Sequence, residues 1–332
     1  METTTNERSK RLAVLVARVV LSLAMLVVLF IEIDDVDFSE VVPPLTWSTG
    51  LYLGGAMILT FSSIGVSASR WQQVLTALGV HSRWRHLFSY YLAGQFVSNV
   101  LPTTIGGDVV RITRLSRETG HGPTSFASVV LERLSGWVVL PLITFLGLAL
   151  NPGLRELGRA SAVAAGIGLV TLLGLIGVII VLGDDRILGR FNRSDGWQRF
   201  AGAVHLGTTR LRERPASALA VLCVGVGYQL VLVVAALLAA QALHIADVGF
   251  TALLVFMPAV LILQVLPLGI SGLGIREASL VLFLAPLGVP AEQAIALGLL
   301  LYLLNLVTSL PGAGALAIGG NRRPPEKSAV LA

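Results

Sequence analysis

Apolar runs close to 20 residues long recur from one end of this chain to the other, and they leave few folds open. At 1.5 Å per residue, such a run is long enough to cross roughly 30 Å of hydrocarbon as a helix. Reading for apolar length places crossings at 12–31, 45–69, 124–150, 160–182, 216–243 and 291–310. Only 13% of the 332 residues are charged, against about 25% in soluble domains. A water-soluble enzyme is excluded on that ground. The expected fold is an all-α polytopic membrane protein. The first run follows Arg8, Lys10 and Arg11 and leads into Glu32-Ile33-Asp34-Asp35 without a small-residue cleavage site. It reads as an uncleaved first helix and not a signal peptide.

Two shorter apolar stretches, 87–101 and 250–266, end in Leu-Pro followed by glycines, and they decide the topology. The loop 32–44 holds five acids and no base, whereas 70–86 holds Arg70, Arg83 and Arg85 and no acid. Basic loops stay in the cytoplasm. If 87–101 crossed fully, every later basic loop would face out. If it descends part way, breaks at Pro102 and returns, 19 basic residues lie inside and only Arg155 and Arg159 outside. The stretch 250–290, broken at Pro267, reads as a second hairpin entered from the other side. Helix-breaking backbone at membrane depth needs protein or a water-filled cavity around it. Two breaks therefore imply an internal cavity.

The breaks also resemble each other. Val100-Leu101-Pro102-Thr103-Thr104-Ile105-Gly106-Gly107-Asp108-Val109-Val110-Arg111 matches the stretch from Val265 to Arg276 at six of twelve positions, at a constant offset of 165. The expectation is an inverted-topology repeat: about six full crossings plus two re-entrant hairpins, with halves at about 12–150 and 160–318. Residues 1–11 form a cytoplasmic N-terminus, 12–320 the membrane domain, 183–215 a cytoplasmic connector and 321–332 a cytoplasmic tail. Inverted repeats with broken helices at the midplane point to alternating access.

The site candidates follow from charge at depth. Pro102 and the pair Gly106 and Gly107 free the backbone for a helix start whose N–H groups attract an anion. Arg111, one turn on, offers planar two-donor contact to a phosphate. Asp108 fits either an N-cap or a substrate contact. Gly272 and Gly274, followed by Arg276 and Glu277, repeat the pattern, although an adjacent opposite pair can be self-compensating. Glu132 and Arg133 sit deep in 124–150; Glu132 fits pairing with Arg111 or Arg276, proton coupling, or a structural bridge. Ionisable groups inside a membrane default to function. Arg114 and Arg117 read as headgroup anchors, Arg18 as a snorkelling side chain, and Trp47, Trp71 and Trp84 as interfacial belts. Gly50-Leu51-Tyr52-Leu53-Gly54 fits close helix packing, and 186–214 a surface helix beside anionic headgroups.

Several chemistries are set aside. Five scattered histidines give no metal or cofactor site, and the lone Cys223 permits no intrachain disulfide. Gly269-Ile270-Ser271-Gly272 fits an intramembrane serine protease, but no histidine follows His244 to activate the serine. No catalytic residue is expected, and the sequence pI near 9.9 reports topology and not nucleic acid.

Three stretches carry a family resemblance: Asn99-Val100-Leu101-Pro102 through Arg111, Ala127-Ser128-Val129-Val130-Leu131-Glu132-Arg133-Leu134, and Gly272-Leu273-Gly274-Ile275-Arg276-Glu277-Ala278. Over roughly 12–318 the chain resembles the transmembrane region of lysylphosphatidylglycerol synthases, a flippase-like family. The resemblance implies a lipid flippase without the soluble transferase domain of the two-domain synthases. Family members usually carry an acid three residues past the arginine of Glu132-Arg133; Gly136 stands there. The expected ligand is an anionic phospholipid or lipid-linked phosphate, with the phosphate between Arg111 and Arg276. A small soluble anion, or an accessory role beside a lipid- or glycan-synthesis enzyme, are the alternatives. Arginine use and Ala, Gly, Leu and Val richness associate with a bacterial plasma (inner) membrane.

Overall fold

The protein, seen in a computed structural model, is described over residues 46–100, 106–183, 195–265 and 272–318. The expected crossing 12–31, Arg18, Pro102, Pro267 and the tail 321–332 lie outside the described residues. The described residues form helices without strands: α1 Trp47–Ala77, α2 Trp84–Val100, α3 Gly106–Thr119, α4 Gly122–Leu150, α5 Arg159–Gly183, α6 Asp195–Glu213, α7 Pro215–Ala242, α8 Phe250–Leu263, α9 Ile275–Leu284, α10 Ala291–Ser309 and α11 Pro311–Ile318. Five spans are long and apolar enough to cross a membrane: α1, α4, α5, α7, and α10 running on into α11. The chain is a multi-pass membrane protein.

Local chemistry sets the helix starts. Thr46 caps α1, accepting from the Thr49 N–H at 3.2 Å. Proline opens α4 and α7, where its missing N–H costs nothing. The shorter helices α2, α3, α8 and α9 have 17, 14, 14 and 10 residues, or about 15–25 Å, too short to cross singly.

Each pair forms a hairpin. At the base of the first, the Glu118 carboxylate accepts from Ser82 at 2.9 Å and Tyr90 at 2.8 Å, so α2 and α3 run antiparallel. At its tip, a Cβ on Gly94 would lie 2.8 Å from the Gly107 carbonyl oxygen. That approach admits glycine alone. In the second hairpin Phe256 stacks on Phe283 at 5.2 Å, and Gln264 packs on Gly272 at the tip. Gly272 and Gly274 have φ of +76° and +85°, which glycine supplies without strain.

The hairpins enter from opposite ends of the bundle. Asn151 at the end of α4 donates to Thr251 near the start of α8 at 3.0 Å. Arg114 in α3 donates to the Ala315 and Leu316 carbonyls at 2.9 and 2.7 Å, where α11 ends beside the base of the first hairpin. A shift of 165 residues carries α1, α2, α3 and α4 onto α7, α8, α9 and α10. The two halves thus share an order of elements and oppose each other in direction, with α1 packed along α7.

The structure corrects several expectations. Helix α1 continues eight residues past 69, so Arg70 is not a loop residue; it is buried, as are Arg111 and Arg114. Without these three, the expected count of inside basic residues is sixteen against two. Arg114 is not a headgroup anchor but holds the carbonyl end of α11. Trp71 is fully buried and donates to Ser128 at 3.0 Å, so it belongs to no interfacial belt. Gly50 and Gly54 face open space, and the close approach to α7 is made by Gly55, against Leu238. Helix α6 does more than lie at a surface: Ala201, Ala203 and Val204 are buried, and Gly207 admits Leu131 of α4.

Candidate functional site

The charges on α1, α3 and α4 meet in one cluster, about 10–15 Å in from their common end at 1.5 Å per residue. Glu132 is 1% exposed. Arg70 donates through Nε to Glu132 Oε1 at 2.9 Å, and its Nη2 contacts the same oxygen. Arg111 donates to the other oxygen, Oε2, at 3.0 Å. One carboxylate is therefore clamped between two guanidiniums, which offsets the cost of burying all three only while the set is complete.

Arg111 is held flat as well as paired. Its guanidinium carbon lies 4.4 Å from the Trp71 ring centre and 4.1 Å from that of Tyr91. Desolvated cation–π contacts of this kind favour arginine over lysine. Arg70 lies 5.1 Å from the Tyr228 ring. Asp108 is third in α3 and does not cap it; it pairs with Arg133 at 2.5 Å and faces Arg111 at 3.6 Å. The cluster holds three arginines and two carboxylates, so one positive charge is uncompensated. Arg111 Nε and Gln229 Nε2 are buried without a hydrogen-bond partner.

This cluster lines a cavity of about 220 Å³, with Gly107 and Asp108 bringing the first turn of α3 to its wall. A second cavity of about 200 Å³ is lined by Arg276, Tyr302, Asn99 and Asn305. Gln95, Tyr228, Leu261 and Gln264 line both, so the cavities are separated by a partition one side chain thick.

The structure thus brings Gly107, Asp108, Arg111, Glu132 and Arg133 together and places Arg276 across the partition. Glu132 pairs with Arg111 and Arg70, not with Arg276. Arg276 donates to its neighbour Glu277 at 3.0 Å and lies 5.3 Å from the Tyr302 ring. Glu277 is fully buried, takes the Gly274 N–H at 2.6 Å and is admitted by Gly298. The start of α9 is therefore occupied by its own carboxylate, whereas that of α3 borders the first cavity. Gly106 opens α3 but lines neither cavity, and Gly272 and Gly274 shape the second tip.

Residues 13–312 match the family model described as the lysylphosphatidylglycerol synthase TM region. The chain belongs to that family. It is also similar to a protein of Haloferax volcanii named glycosyltransferase AglD, at 25% identity over 353 aligned residues, covering 94% of this chain and 55% of that protein. The chain spans about half the length of that relative.

Sequence reasoning missed Arg70, Trp71, Tyr91, Gln95, Tyr228, Gln229 and Gln264. A signal for Arg70 exists: Thr60, Ser63, Ser67 and Arg70 fall at helical spacing, and all four are buried on one face of an apolar helix. The two glutamines in apolar stretches, Gln229 and Gln264, carry a weaker one, since a polar group at depth needs a partner.

Proposed function

We propose that this chain moves an anionic phospholipid, or a lipid-linked phosphate, between the leaflets of a membrane. The observation that carries the reading is the pair of arginine-bearing cavities at the tips of two hairpins inserted from opposite ends, parted only by Gln95, Tyr228, Leu261 and Gln264. A phosphate entering the first cavity meets Arg70 and Arg111, and its oxygens replace the Glu132 carboxylate between them. Gln95 and Gln264 offer hydrogen bonds across the partition, and Arg276 receives the headgroup beyond it. The chains stay in hydrocarbon while the charge is passed through protein. Charge parity puts the first hairpin and both termini on the cytoplasmic side.

Family membership supports a role in lipid or glycan assembly. The named activity of the Haloferax volcanii relative favours a second reading, an accessory membrane protein beside a glycan-synthesis enzyme.

The test is lipid translocation in proteoliposomes. Arg111→Ala and Arg276→Ala are each expected to lose translocation of a labelled anionic phospholipid while inserting normally. Full activity in both variants refutes the site. Transport of a soluble phosphate ester without lipid movement supports a soluble-anion carrier instead, and neither activity leaves the accessory role.

A further inference from the structure

One side of α5 is hollowed where a membrane helix gains nothing from being hollow. Gly166, Val170 and Gly174 fall at i, i+4 and i+8, on one face. Glycines in membrane helices normally let two backbones approach. Gly168 does so: a Cβ there would meet Phe145 at 3.5 Å and Pro141 at 3.6 Å. Gly166 and Gly174 meet nothing within 4 Å, and Val170 is 71% exposed. A helix-interior glycine that packs against nothing is less stable than alanine. What the two glycines do is keep open an apolar groove of about 660 Å³, floored by Trp137 of α4 and closed by Leu263 at the end of α8.

The groove leads to the charged site. Trp137 lines both the groove and the first cavity, and Leu263 of the groove is followed in sequence by Gln264 of the cavity. On the polar side of that ring Gln229, 2% exposed, holds an amide N–H group without a partner. An apolar channel open to lipid and a cationic chamber with an unmet donor, separated by one indole, are complementary to the two ends of a single amphiphile.

We infer that the groove between α5 and α8 is the lateral entrance of the first cavity, and that it holds one hydrocarbon chain of the lipid whose phosphate lies between Arg70 and Arg111, with Trp137 as the gate. The inference rests on the lipid reading of the central site and adds where the chain runs. The headgroup passes Trp137 while the chain slides along Gly166 and Gly174 and never leaves an apolar surface.

Two measurements test it on the full chain in vesicles of phosphatidylglycerol and phosphatidylcholine. In the first, a phosphatidylglycerol with a photoactivatable group in one tail is crosslinked and the adducts are mapped. Adducts concentrated on the 166–174 segment and Trp137, and lost in Arg111→Ala, are expected, because headgroup capture then holds the tail in place. Adducts spread over all lipid-facing helices and indifferent to Arg111→Ala overturn the inference. In the second, the double variant Gly166→Trp, Gly174→Trp fills the groove, with Leu169→Trp, at an exposed position of α5 that does not line the groove, as control. The double variant is expected to slow translocation by about tenfold or more, equivalent to ~1.4 kcal/mol, while stabilisation by free glycerol phosphate is unchanged and the control transports normally. Wild-type rates in the double variant also overturn it. A wild-type protein that moves no lipid but gives the Arg111-dependent adducts refutes the transport reading alone and leaves the groove as a lipid site.

Discussion

Glu132→Gln tests whether the buried carboxylate occupies the place of a substrate phosphate. Arg70, Glu132 and Arg111 are 6%, 1% and 4% exposed, so none of the three can turn to water. Breaking a buried ion pair by neutralising one partner costs about 3–5 kcal/mol. Glutamine keeps one acceptor oxygen, which places the loss near the lower end, about 3 kcal/mol, a large share of a typical 5–15 kcal/mol stability. An anion that binds the two arginines in place of the lost charge stabilises the fold by about 2.7 kcal/mol at 100 times its dissociation constant. The variant is therefore expected to unfold earlier than wild type in chloride and to approach wild type in phosphate at matched ionic strength. Wild type gains less from phosphate, because its own carboxylate must first be displaced. Denaturant or thermal unfolding of purified protein in detergent reads both effects. Equal phosphate stabilisation of the two proteins, or a variant as stable as wild type in chloride, refutes the reasoning.

Three further perturbations address the scaffold. Gly107→Ala places a methyl group against the Gly94 carbonyl and the Ser98 hydroxyl; it is expected to cost about 1–3 kcal/mol by overpacking, read as a lower unfolding midpoint with loss of transport. Arg114→Ala removes two charge-assisted bonds to the Ala315 and Leu316 carbonyls, each worth about 1.5–3 kcal/mol, and should raise hydrogen exchange through α11 while sparing α8. At the base of the first hairpin, burial raises the Glu118 carboxyl, but hydrogen bonds from His86, Tyr90 and Ser82 outweigh it and leave the pKa below its ordinary 4.5. A depressed acid contributes stability that is fully present above the unfolded pKa and lost as pH falls through the folded one. Protection from hydrogen exchange at the 82–90 and 115–119 segments, taken relative to the intrinsic exchange rate at each pH, should therefore hold steady above the ordinary carboxyl pKa and fall once the pH drops below it, and Glu118→Gln should abolish that fall.

Much of the fold was legible because a bilayer makes length and charge decisive. The crossings expected at 124–150, 160–182 and 216–243 fall within two residues of α4, α5 and α7. The broken hairpins were legible from Leu-Pro followed by glycine, and their opposed insertion from arginine counts, which report the ends of helices whatever their packing. The same counting hid Arg70. A charge near the end of an apolar run reads as loop, and only its phase with Thr60, Ser63 and Ser67 betrays a buried face. Trp71, its neighbour, is hidden for the same reason. The partner of Glu132 was not legible at all: Arg111 and Arg276 lie at similar depths from opposite ends, and which of them Glu132 meets depends on the lateral packing of α3 against α4. Neutral Tyr91, Tyr228 and Gln95 carry no charge signal, so the partition between the cavities emerges only from the packing.

The two halves share a backbone plan but not a chemistry, and that difference bears on the proposed transport. Under the 165-residue shift Arg111 corresponds to Arg276, yet Arg70, Trp71, Asp108 and Glu132 correspond to Ala235, Ala236, Leu273 and Leu297. The first cavity therefore holds its arginine in a network of several charges and two aromatic rings, and the second holds its own against one neighbouring carboxylate and the Tyr302 ring. On the proposed reading, a headgroup in the first cavity displaces Glu132 from two arginines, whereas one in the second displaces the single Glu277 oxygen that accepts from Arg276 and leaves the other on the Gly274 N–H. Unequal sites bias the occupancy of the inward- and outward-open states only through their differential affinity. They alter the rates of capture and release on the two sides and leave the final distribution of lipid to whatever gradient or consuming reaction the membrane supplies. Replacing Glu132 should accordingly change how fast labelled lipid equilibrates between leaflets and not where it settles, and an altered plateau in symmetric vesicles would mean that the carboxylate couples transport to a second ion.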